Sequence, residues 1–190
     1  MIAPHPPPPA DFADRKLALA SYRRVVMRIH RTRRDPIYFG RSGASRFDAP
    51  DGEYGVLYAG EDEHCAFIET FGQATGENLI EERELAARSL TRLHVVGARL
   101  VDFTGEGLAR LGADNRLCDG DHATAQAWSR ALHRHPSRPD GIRFRARHDP
   151  ERVSVALFDR AAAKVRPWKT ERLDLERVAP LINHYQFGLS

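Results

Sequence analysis

The sequence predicts an α+β fold built on a mixed, mostly antiparallel sheet. Three observations carry that expectation. Strand-like and helix-like segments are interspersed, yet they form no regular strand–helix–strand ladder. Several neighbouring strand candidates are joined by links too short for the crossover that a parallel pair requires. The stretch RRVVMRIHR, 23–31, alternates strictly, with Val25, Met27 and Ile29 on one face and Val26, Arg28 and His30 on the other.

Taken in order, DFADRKLALAS (11–21) reads as a short helix capped by Asp11, with Phe12, Leu17 and Leu19 or Ala20 inward. Residues 32–53 are loop, punctuated by Asp35-Pro36, Gly40, Gly43, Pro50 and Asp51-Gly52. YGVLYAG (54–60) is a strand with Tyr54, Val56 and Tyr58 on one face. EDEHCAFIETFG (61–72) suits a helix, because its acidic first turn complements the helix dipole and Gly72 stops it. GENLIEERELAAR (76–88) is a second helical piece. LTRLHVV and ARLVDF read as two strands separated by Gly97. TGEGLARLG (104–112) is a short helix with Thr104 as its cap. Residues 120–135 form the best-patterned helix, with Ala125, Trp128 and Leu132 on one side. GIRFRA (141–146) and RVSVALFD (152–159) flank the turn RHDPE. AKVRPWK is a last strand, and DLERVAPLINHYQF (174–187) a terminal helix bent near Pro180.

Composition narrows the function. Hydrophobic residues make up 42% of the 190, enough for a core, and the net charge is only +3. That balance argues against a dedicated nucleic-acid binder. Cys65 and Cys118 are too few and too far apart for a disulfide framework or a thiolate metal site, which points to a reducing, cytoplasmic setting. No run reaches the roughly 20 apolar residues of a membrane span, and MIAPHPPPPADFAD has no signal-peptide core. The expected organisation is a Pro-rich arm over residues 1–10 and one domain over 11–190. Pro6 to Pro9 favour a polyproline II arm, read as a disordered tail in preference to a docking peptide.

Most catalytic patterns are missing. DFTGEGLARLG has Arg110 where a dinucleotide-binding turn needs its third glycine. His122, His133, His135 and His148 show no metal-ligand spacing, and no Gly-x-Ser-x-Gly elbow exists. Four residues stand out instead. Arg28 sits mid-strand between Met27 and Ile29, where a guanidinium needs an anionic partner, either an internal carboxylate or a ligand. Glu69 poses the same question with opposite sign, among Phe67, Ile68 and Phe71. Tyr58 can pack on a flat ligand, and Arg46 can reach a second anionic group. These residues suggest a site for an anionic aromatic ligand without naming a reaction.

Read as a set, MRIHR, RFDAPDGEYGVLYAG, AFIETFG and PDGIRFRARHDPERVSVALFDR resemble the RES-domain family over about residues 22–165. The resemblance implies an ADP-ribosyltransferase-like fold with a split sheet flanked by helices. It also implies a toxin that cleaves the nicotinamide–ribose bond of NAD+, by phosphorolysis to nicotinamide and ADP-ribose-1″-phosphate or by hydrolysis. Alternatives are protein ADP-ribosylation and a catalytically silent binding module. By the same resemblance Arg28, Glu69 and Tyr58 are catalytic, while Arg46, His30, Thr124 and Gln126 bind substrate. NAD+ is the substrate and inorganic phosphate a co-substrate, with no resident cofactor or metal. The implied partner is an Xre-type antitoxin that contacts DNA on the pair's behalf, and a homo-oligomer within that complex is a further expectation. The family's serine is replaced: Thr124 is the nearest hydroxyl in GDHATAQAW, and Ala146 stands where many members carry serine.

Overall fold

Residues 5–73 and 76–190 are described by the computed structural model. Alternation does yield a strand at the expected place, β1 (Leu19–Arg31). After the loop come β2 (Val56–Gly60) and helix α1 (Glu63–Phe71). The short elements β3 (Leu79–Ile80) and α2 (Glu82–Ala86) lead into β4 (Arg88–Asp102). Two small helices, α3 (Glu106–Arg110) and α4 (Arg116–Asp119), precede α5 (His122–Arg134). Strands β5 (Gly141–Arg145), β6 (Val153–Phe158) and β7 (Val165–Arg172) follow, then α6 (Leu175–Tyr185) and β8 (Gly188–Leu189).

The sheet is α+β and mostly antiparallel, but it is not a plain split sheet. Its order is β1-β2-β6-β5-β4-β7, and β1 also pairs with β4 along its whole length. Five strands therefore close into a barrel-like ring, with β7 attached outside on β4. Within this sheet β4–β5 is parallel and the other pairings are antiparallel. The ring is most weakly joined at one seam, between β1 and β2. Only Met27 and Gly60 are in register between β1 and β2. Beyond Met27, β1 continues against β4 alone, so β1 and β2 part and leave a mouth.

Four expectations about elements change. The 11–21 segment is a 3-10 turn at Phe12–Asp14 and then extended chain, and Asp11 makes no capping bond. Phe12 and Leu17 are nonetheless buried as the pattern required. The two strands around Gly97 are one: Tyr22 pairs with Ala98 and Arg23 with Val96, leaving Gly97 as a bulge at φ 76°. The second helical piece shrinks to α2, because Leu79–Ile80 pairs in parallel with β8. Thr104 does not cap α3. Its hydroxyl donates to Asp102 Oδ1 at 2.6 Å, and Gly105 holds the cap position. Helix α6 runs on through Pro180 in its second turn.

Three apolar clusters hold the fold. The first joins α5 to the sheet through Phe47, Tyr54, Phe103, Trp128, Leu132 and Phe158. The second fills the ring with Tyr22, Val26, Leu57, Leu93, Leu100 and Leu157. The third lies under α1 and α6, with Ile29, Phe67, Leu90, Leu181, Ile182 and Phe187. Removing such side chains from water supplies most of the driving force for folding, at about 25 cal/mol per Å². The described part of the Pro-rich arm, from residue 5 on, packs on this body and is not the disordered tail expected from the sequence. His5 is buried, Asp114 N–H donates to its Nε2, and the Pro6 carbonyl accepts from the Trp128 indole at 3.0 Å. Trp168 stands on β7, near the His94 ring and exposed.

Candidate active site

A cavity of about 330 Å³ opens at the seam between β1 and β2. It is lined by Arg28 from β1, Tyr58 from β2, Glu69 from α1 and Arg46 from the 32–55 loop. Four residues singled out from the sequence thus converge, although they come from four different segments.

Each is aimed by local structure. Asp62 caps α1 by accepting the Cys65 N–H at 2.7 Å. The helix then lies hard against β2, because a Cβ on Gly60 would come within 2.7 Å of Ala66 N and of Cys65 Cβ. The Cys65 Sγ sits 3.1 Å from Ser154 Oγ on β6, and burial pushes its thiol up to about 12. One turn beyond Cys65, Glu69 faces the cavity. Its Oε1 accepts the His148 backbone N–H at 3.2 Å. Among the described residues it has no ion-pair partner, and the pairing with Arg28 that the sequence left open does not form.

Arg28 is held by carbonyls instead. Its Nη1 donates to Pro36 O at 2.7 Å and to Tyr38 O at 3.3 Å. Burial lowers its pKa, though an arginine stays cationic at neutral pH. Arg46 is buried too, and its Nη1 donates to Gly120 O at 2.7 Å. Its pKa falls through burial first and then through the nearby Arg147 guanidinium. Tyr58 offers its ring to the cavity, while its hydroxyl donates to Asp48 Oδ1 and accepts from Phe47 N–H. Burial, with the Asp48 carboxylate next, raises its pKa well above the usual value, so it stays neutral.

The remaining candidates sit elsewhere. His30 donates to or accepts from Thr91 Oγ1 at 2.8 Å and lines a second cavity, and burial lowers its pKa. Thr124 lies in the first turn of α5, where its N–H meets the capping carboxylate of Asp121 at 3.1 Å. Gln126 does not line the cavity but anchors it, donating to Gly43 O at 2.8 Å and Ser45 O at 3.0 Å.

Several residues were not picked out from the sequence. Asp48 is almost fully buried and gathers Ser42 Oγ, Ser45 N–H and the Tyr58 hydroxyl. Ser129 accepts from the Tyr54 hydroxyl and donates to Phe47 O. Together with Gln126 they fix the loop that presents Arg46. Their signal was a polar residue at an apolar position: Asp48 between Phe47 and Ala49, Ser129 on the Trp128 side of α5. Ser154, Arg147, His148 and His122 also line the cavity. Ser154 supplies a hydroxyl there, while Ala146 is buried and apolar.

The arrangement places the guanidiniums of Arg28, Arg46 and Arg147 and one half-buried carboxylate around an aromatic ring, and Arg28 and Arg46 bond backbone carbonyls but make no ion pair among the described residues. It can grip an anion and stabilise positive charge that develops beside it. Among the described residues no three His, Cys, Asp or Glu side chains gather where they would hold a metal ion. No described helix is long and apolar enough to cross a membrane.

Comparison with known proteins bears on the fold and the family. No curated protein matches the chain. A chain of the crystal structure of the M. tuberculosis MbcT-MbcA toxin-antitoxin complex is similar in fold, with TM-score 0.68 and 17% identity. The match covers 86% of this chain and 91% of that one. The RES domain family model matches residues 25–176, a span that includes every residue lining the cavity, from Met27 to Ser154. The chain therefore belongs to the RES-domain family.

Proposed function

We propose that this protein is an NAD+-consuming toxin that cleaves the nicotinamide–ribose bond. The observation that carries the reading is the convergence of Arg28, Arg46, Tyr58 and Glu69 on one cavity. In the step itself the ribose C1″–N bond breaks and the nitrogen keeps its electron pair, so nicotinamide leaves neutral and needs no acid. Positive charge builds on the ribose, as in glycoside cleavage. Glu69, which makes no salt bridge among the described residues, stabilises that charge. A phosphate oxygen then forms the new bond and gives ADP-ribose-1″-phosphate, or water does so and gives ADP-ribose. Arg28 and Arg46 hold the dinucleotide's diphosphate or the attacking phosphate, and Tyr58 packs against the reacting half and excludes water.

By this reading residues 11–190 are one catalytic domain with an ADP-ribosyltransferase-like arrangement, NAD+ is substrate, and the protein acts in the cytoplasm. Its partner is an Xre-type antitoxin that covers the cavity and contacts DNA for the pair. The similar chain comes from a toxin–antitoxin complex, which supports a partner of that kind.

The test is nicotinamide release from NAD+ by purified protein, with and without inorganic phosphate. Release is expected to depend on phosphate and to fall by about 10²–10³ in Glu69→Gln, the usual cost of losing one electrostatic stabiliser. Full activity in Glu69→Gln sinks the mechanism. Release that ignores phosphate indicates hydrolysis, and label appearing on protein indicates transfer.

A further inference from the structure

Arg28 is a wall shared by two cavities. On its far side lies a second one of about 310 Å³, lined by Arg28, Arg31, Arg34, Asp35, Tyr38 and Arg88. Ile29 also borders both, so the two spaces are neighbours along β1. This second cavity is strongly basic, with four arginines against one aspartate. Part of that charge is unspent. Arg31 and Arg88 share the single carboxylate of Glu84, at 3.3 and 2.9 Å. The Arg88 Nε is buried with no hydrogen-bond partner. Arg34 is exposed and makes no ion pair among the described residues. Beside these cations stands Tyr38, 49% exposed although it is a large aromatic. Asp35 keeps one carboxylate oxygen on the Ile37 N–H at 2.7 Å, leaving the other available.

We propose that this second cavity binds the adenosine 5′-phosphate half of a dinucleotide, which straddles Arg28. The inference rests on the NAD+ reading of the first cavity and deepens it. At about 330 Å³ the first cavity lies near the lower end of small-molecule sites, roughly 300–1,000 Å³, and suits one nucleotide better than two. In the second, the Tyr38 ring stacks on the purine. Arg34, exposed and without an ion pair among the described residues, meets the phosphate. The open oxygen of Asp35 accepts from a ribose hydroxyl. Arg28, fixed by Pro36 O and Tyr38 O, holds the diphosphate that joins the halves.

The test titrates the protein by calorimetry with adenosine 5′-monophosphate and, separately, with nicotinamide mononucleotide. Tyr38→Ala and Arg34→Ala are each expected to weaken the adenosine ligand about tenfold, the scale of one stacked base or one phosphate contact. Both should leave the nicotinamide ligand unchanged, and Tyr38→Phe should keep wild-type affinity. Neither variant disturbs the hold on Arg28, which uses the Tyr38 carbonyl and not its ring. In turnover, KM for NAD+ should rise with kcat unchanged. If the wild type does not bind the adenosine ligand, or both alanine variants bind it equally well, the inference is overturned. If NAD+ is consumed with an unchanged KM in both variants, the inference fails and the NAD+ reading stands. Adenosine binding through Tyr38 and Arg34 without NAD+ turnover supports the site and removes the reaction.

Discussion

Arg28 illustrates how one side chain serves both architecture and chemistry. Its guanidinium pins the 32–38 loop through the Pro36 and Tyr38 carbonyls and still faces the cavity. Arg28→Lys replaces a planar fork by a single ammonium, which cannot bond both carbonyls and a substrate oxyanion in the same plane. NAD+ consumption is expected to fall at least tenfold, with a modest loss of stability. Arg28→Met removes the donors outright. It should lower unfolding free energy by about 1–3 kcal/mol, the cost of stranding a partly buried acceptor, read from urea midpoints. Wild-type stability in Arg28→Met contradicts the pinning role. The sequence disclosed that Arg28 needed a partner but not that the partner would be backbone. A loop folding back eight residues later leaves no mark in hydrophobic pattern. Glu69, Tyr58 and Arg46 were legible for the opposite reason, since each sits against apolar neighbours that make its polarity conspicuous. Asp48 gave that same signal between Phe47 and Ala49, yet a turn-rich neighbourhood of Pro50, Asp51 and Gly52 made it read as loop.

At the scale of elements, α1 and β2 meet through Gly60. A methyl there has no room against Ala66 N and Cys65, and those neighbours are backbone and the start of a helix. Gly60→Ala should therefore shift α1 outward, lower stability by about 1–3 kcal/mol as overpacked cores do, and move Glu69 off its His148 contact. Lost nicotinamide release with retained secondary structure by circular dichroism is the expected result, and unaltered activity contradicts the close approach. Strands and long helices were readable from period alone, as 23–31 and 120–135 show. Gly97 misled because glycine marks a bulge as readily as a break, and only the partner strand decides which. The pairing of β1 with β4, which closes the ring, joins residues about seventy positions apart and is invisible to local pattern. The 11–21 segment reversed for a related cause: β1 extends back to Leu19 because Val101 and Leu100 wait opposite Leu19 and Ala20.

For the whole molecule, acid is the expected weakness. His133 stacks on Tyr54 with ring centroids 4.0 Å apart, and burial lowers its pKa to about 4. Burial lowers the pKa of His30 and His64 as well. The folded state keeps these imidazoles neutral, while the unfolded chain takes up protons below about pH 6.5. Stability is thus whole above that pH and declines as pH falls toward about 4, with His133 contributing to the loss. Urea midpoints at pH 7 and pH 5 should differ for the wild type and differ less for His133→Phe, which keeps the ring stack. Equal acid sensitivity in the two proteins contradicts the assignment. The chain's two tryptophans add a practical consequence, because Trp128 is 1% exposed and Trp168 61%. Intrinsic fluorescence therefore carries two separable channels. Iodide reaches the β7 indole and dims it, leaving a blue-shifted emission from the indole under Pro6. That residual light reports directly on whether His5 and Pro6 remain seated on the domain.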